Sequence, residues 1–190
     1  YLNTKMNVFP KIRLTKRYGI LFIVWGWLLV FTTLAGYIKR RMVYSFLVEE
    51  ILNLLKIILP VIVVAFTGYY LFEKRKDKRG KPTRIALYSL WISMVGCMIL
   101  VNLIQYRVMH QINFELQHPL FMVLMAFTIV MTGVILRYPF VFVGGVIFGV
   151  LALTASSLEL PEQLLLESLA WFVAFVVPGH LLNAKKIPTK

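Results

Sequence analysis

Apolar residues fall into six long runs, at about 19–38, 54–72, 85–104, 119–136, 139–156 and 163–182, separated by short polar stretches. At 1.5 Å per residue a helix of roughly 20 apolar residues crosses a hydrocarbon core about 30 Å thick. The pattern predicts an all-α, polytopic membrane protein: a single domain over 1–190 built as a bundle of about six transmembrane helices. The segment from His118 to Ser157 is the clearest part, because Arg137 is its only charged residue. Its two apolar runs flank Arg137, Tyr138 and Pro139 and predict a helical hairpin. Arg137 is expected at the turn, Tyr138 at headgroup depth, and Pro139 at the first helical position, where a missing N–H costs nothing.

Other positions qualify this outline. Val43, Phe46, Leu47, Ile51, Leu54 and Leu55 recur at helical spacing and predict a short interfacial helix before the second span, with Lys56 snorkelling to the interface. Pro60 is expected to kink that span. Gly145 and Gly149 form a G-x-x-x-G, and Ala170 and Ala174 a second small pair. Such residues let membrane helices approach closely, either within one chain or between copies. Pro178 and Gly179 are expected to loosen the last turn of the final span.

Composition fits a bilayer: 59% of the 190 residues are hydrophobic and 15% charged, against roughly 25% charged in soluble domains. The first run is too long for a signal-peptide core and no cleavage pattern follows it, so it reads as a span. The net charge of +13 is unevenly distributed. Residues 73–84 hold seven bases and two acids, whereas 156–167 hold three acids and no base. With both termini cytoplasmic, inner segments carry 16 bases and 2 acids, outer segments 5 bases and 6 acids. That is the positive-inside pattern of a multi-pass membrane protein. The excess charge therefore reads as a leaflet asymmetry, with 73–84 facing anionic head groups, and not as a nucleic-acid surface. Lys39, Arg40 and Arg41 form the one basic cluster on the opposite side.

Candidate chemistry is sparse. Cys97 is the only cysteine and lies within a run, so neither a disulfide nor a thiolate metal cluster is expected. His110, Glu115 and His118 raise a metal site, but five residues separate His110 from Glu115, about 140° around a helix at 100° per residue. They read as interfacial polar residues, and no catalytic, cofactor or metal site is expected. Trp25 and Trp27 lie deep in the first run, where indole N–H groups need partners and favour packing on another helix. Glu167, near the acidic loop, is expected to snorkel or to meet Trp25, Trp27 or Asn102. His180 is expected to meet loosened carbonyls or an anionic head group. Trp25, Trp27, Asn102, Glu167 and His180 are thus the candidate ligand or partner site.

The WGW of Trp25–Trp27, the hinge Thr132–Pro139 followed by Gly144–Gly145, and the terminal PGHLLN resemble small uncharacterised six-span membrane proteins of Bacteroidetes-type bacteria. That resemblance implies a bacterial inner membrane and a fold, and no reaction. The expected function is a non-enzymatic regulatory, sensory or assembly component that contacts lipid, a membrane-protein partner or a second copy. The alternatives are a substrate-binding subunit of a small-molecule transporter, although the first span lacks an A-x-x-x-A docking motif, and an intramembrane enzyme. For the latter the chain has no G-x-S-x-G, and His180 and Asn183 stand one residue closer than a protease-type H-x-x-x-N.

Overall fold

The structure is a computed structural model that describes residues 16–41, 46–73 and 81–184. The described chain is helical: α1 (Lys16–Arg41), α2 (Phe46–Glu73), α3 (Lys81–Met109), α4 (Phe114–Leu136), α5 (Pro139–Ala155), α6 (Leu160–Trp171), a π-helical turn (Phe172–Val176) and α7 (Val177–Ala184). The last three make one continuous rod, Leu160–Ala184. Among the described residues five helices are long and apolar enough to cross a membrane, and α5 is a shorter apolar helix of 17 residues. The chain is therefore a helical membrane protein by length and composition.

The helix boundaries have local causes. Asn113 caps α4, its Oδ1 accepting from the backbone N–H groups of Glu115 and Leu116. Helix α4 ends where Arg137 adopts a left-handed conformation, φ 51°, and the Tyr138 N–H returns to the Gly133 carbonyl. Pro139 then opens α5. His110, φ 54°, sits just beyond the end of α3. Helices therefore extend into much of the polar stretch between the third and fourth apolar runs. The expected interfacial helix is likewise not separate: Phe46 to Leu55 form the first turns of α2, and Pro60 lies inside that helix. No glycine or proline stands between Phe46 and Leu59 to divide the two. Met42–Ser45, Lys74–Gly80 and Lys185–Lys190 lie outside the described residues, and with them most of the polybasic segment.

Consecutive helices run antiparallel, so their connections gather at two ends. Helices α4 and α5 form the closest pair, and α1 lies along the α6–α7 rod. Small residues set these seams. A Cβ on Gly26 would stand 2.8 Å from Val176 Cγ2 and 3.0 Å from its backbone N, and one on Gly145 would stand 2.7 Å from the Val130 backbone N. Gly179 meets Ile23 and Gly19 in the same way. Ala170 and Ala174 are fully buried, Ala174 against Gly144. Gly149 is looser: its nearest neighbour would be Ala126 Cβ, at 3.5 Å.

Buried aromatic rings link the seams. Phe148 meets Trp171 at 4.8 Å, Trp171 meets Phe175 at 5.3 Å, and Phe175 reaches Phe22 and Trp91. Several of these contacts are edge-on, the arrangement ring quadrupoles favour. The π turn precedes Pro178, whose ring would crowd the Ala174 carbonyl of a regular helix. There the Val177 N–H bonds instead to the Phe172 carbonyl, five residues back. Helix α2 rests on α1, α3 rests mainly on α4, and both turn long apolar faces outward.

Candidate functional site

Polar side chains collect where α1 ends, α2, α4 and α6 begin, and α3 ends. Arg41 of α1 pairs with Glu162 of α6. Lys39 contacts Glu49 at 2.8 Å and Asn53 at 3.2 Å, both on α2. The basic cluster on the opposite side from the rest thus has two of its three charges matched by acids.

Deeper at the same end, α4 meets α6 through His118 and Glu167, with Nδ1 3.1 Å from one carboxylate oxygen. The second oxygen accepts from the Trp171 indole N–H, also at 3.1 Å. Trp171 is 1% exposed, so its N–H has little access to any other acceptor. The His118 and Glu167 side chains are 28% and 16% exposed, a partly open edge. A carboxylate facing Nδ1 fixes a proton on that nitrogen and leaves Nε2 as an acceptor in the neutral ring.

One turn before Glu167, the Gln163 side chain donates from Nε2 to the carbonyls of Glu115, 3.1 Å, and Leu158, 2.9 Å. Two acceptors on one atom identify it as the amide nitrogen. Oε1 is then a carbonyl oxygen, buried and with no hydrogen-bond partner among the described residues. On α3, Asn102 Oδ1 accepts from Gln117 Nε2 at 2.6 Å. Gln105, one turn on, is 6% exposed with both amide atoms unpartnered among the described residues.

The five expected site residues do not converge. Asn102 and Glu167 lie at this end, but Glu167 is held by His118 and Trp171 and not by Trp25, Trp27 or Asn102. The Trp25 indole N–H donates to Thr67 Oγ1 at 2.9 Å, joining α1 to α2. Trp27 is 37% exposed, its ring against Phe31 and Phe172. It packs on a neighbour yet still faces outward. His180 is exposed at the far end of the rod. The backbone around Pro178 and Gly179 is not loosened, because both are buried within α7. The Pro178 carbonyl accepts from the Tyr138 hydroxyl at 3.2 Å. Tyr138 is thus buried against α7, and burial pushes its phenol above the usual tyrosine range. The hydroxyl keeps its proton for that bond.

Sequence reasoning missed His118 as a partner of Glu167, and Gln163 altogether. The two members of the first pair are 49 residues apart, and only the spacing of Gln163, Glu167 and Trp171 at four-residue intervals marks a shared helix face. No group of three or more His, Cys, Asp or Glu among the described residues could hold a metal ion. No protein-family model, curated protein or solved structure matches the chain.

Proposed function

We propose that this chain is a six-span protein of the bacterial inner membrane with both termini cytoplasmic, in which α5 serves as the sixth span. Its role is non-enzymatic: a regulatory, sensory or assembly component that recognises lipid, a membrane-protein partner or a second copy. The resemblance to small Bacteroidetes-type membrane proteins supports the compartment, and the charge asymmetry supports the orientation. Residues 73–84 face anionic head groups in this reading.

The observation that carries the role is the distribution of ionisable groups. Charged side chains within a bilayer are expensive and mark ion or proton pathways. Here residues 57–72, 85–106, 119–136 and 168–184 contain no Asp, Glu, Lys or Arg. The deepest described acid, Glu167, sits on the second turn of the rod and is tied to His118 and Trp171, so no chain of titratable groups leads through the bundle. The partly open cluster at Glu167 is the point of recognition.

Photo-crosslinking in intact membranes from a probe at Leu166, the half-buried neighbour of Glu167, tests this. A stoichiometric adduct with a membrane protein or lipid is expected. Solute accumulation in proteoliposomes that contain only this chain would overturn it in favour of transport. The transporter-subunit alternative draws on the unpartnered Gln163 oxygen, and a thermal-shift screen with vitamins separates it.

A further inference from the structure

We infer that Gln163, Glu167 and His118 form a binding site for a primary ammonium group, carried by a free amine or by an aminophospholipid head. The inference deepens the reading of this cluster as the recognition point and rests on it.

Uncommitted hydrogen-bonding capacity defines the ligand. The amide nitrogen of Gln163 is spent on two backbone carbonyls, which leaves its buried Oε1 without a donor. Each carboxylate oxygen of Glu167 receives one donor and retains a free lone pair. His118, with Nδ1–H directed at the carboxylate, presents Nε2 as an acceptor in its neutral form. What these three groups still offer is therefore all acceptor, and with a neutral imidazole the set is anionic. An occupant must donate hydrogen bonds and carry positive charge.

Geometry selects among cations. Gln163 and Glu167 are one helical turn apart, where Cβ atoms stand about 5–6 Å from each other, and His118 approaches from α4. The acceptors thus come from two helices, an arrangement that suits the three diverging donors of an ammonium better than the flat fork of a guanidinium. A quaternary ammonium has no N–H and cannot supply Oε1. Access exists because His118 and Glu167 are only partly covered.

The test uses the full chain in nanodiscs of equimolar, tail-matched phosphatidylethanolamine, phosphatidylcholine and phosphatidylglycerol, with retained lipid read by native mass spectrometry. Ethanolamine is titrated separately against unfolding temperature. Preferential retention of phosphatidylethanolamine over phosphatidylcholine, about tenfold and lost in Glu167→Gln, supports a lipid head. Saturable stabilisation by ethanolamine without lipid preference, again lost in Glu167→Gln, supports a free amine. Gln163→Met, which removes the orphan oxygen, is expected to weaken whichever signal is seen. The absence of both signals, or their persistence in Glu167→Gln and Gln163→Met, overturns the proposal. If the crosslinked partner is still captured in that case, only the ligand assignment fails and the recognition role stands.

Discussion

Gly145 and Gly149 read alike in sequence, but the structure separates them, and alanine at each gives opposite expectations. A Cβ on Gly145 would lie 2.7 Å from the Val130 backbone N and 2.8 Å from Val130 Cγ2, with Ile129 Cγ2 at 3.1 Å. The closest atom is backbone and cannot rotate away, so α4 and α5 must part by several tenths of an ångström. Overpacking of this kind costs about 1–3 kcal/mol, more than the 0.5–1 kcal/mol that alanine gains over glycine in a helix. At Gly149 the added carbon meets Ala126 Cβ at 3.5 Å, an ordinary contact. There the helix preference acts alone and stabilises by about 0.4–1 kcal/mol. Thermal unfolding of the purified protein in one detergent, read through tryptophan emission, should therefore fall for Gly145→Ala and hold or rise for Gly149→Ala. At roughly 2–4 °C per kcal/mol for a chain of this size, both shifts are measurable. Equal losses at the two positions, or an unchanged Gly145→Ala, would refute the close approach of α4 to α5.

In a Cys97→Ser background, cysteines at Lys78 and Lys186 should resist an impermeant thiol reagent in intact cells while one at Glu159 labels; external labelling at Lys78 would reverse the orientation. Trp25→Phe and Thr67→Val should each lower stability by about 0.5–1.5 kcal/mol and show coupling in a double-mutant cycle, whereas additive losses would mean that the bond from α1 to α2 is not formed. Glu167→Leu should cost about 1 kcal/mol by leaving the buried Trp171 N–H without its acceptor, and Glu167→Gln should cost little because an amide oxygen can take its place; equal losses would count against that hydrogen bond.

Much of the fold was legible because bilayer thickness and helical rise together convert run length into a helix. The α4–α5 turn was read to the residue, since Arg137, Tyr138 and Pro139 each carry a local signal. Helix ends were less legible. Asn113 caps α4 six residues before the apolar run at 119, and α3 runs on to Met109, because a helix continues past the hydrophobic boundary until a cap or a left-handed residue stops it. The site was least legible. Glu167 and Asn102 stood out as polar residues in apolar surroundings, but their partners come from other helices, and no spacing along the chain announces His118 or Gln117. His180 drew attention through its neighbours Pro178 and Gly179, whose actual work is to pack against Tyr138 and α1.

The two ends of the bundle are held by different forces, and this bears on where recognition can occur. At the end where α1 begins and α7 finishes, backbones touch: Gly19 and Gly179 leave no room for a side chain between them, and Tyr138 seals the α4–α5 turn onto Pro178. Such a contact responds to volume and resists opening. At the other end the helices are tied by long side chains, through Lys39, Arg41, His118 and Gln117, each to a partner on another helix. Exposed ion pairs contribute little to stability and are screened by salt. Buried polar atoms there that have no partner among the described residues, on Gln163 and Gln105, can take one up without breaking a packed seam. The recognition proposed at Glu167 thus falls at the end where side chains, and not backbones in contact, join the helices.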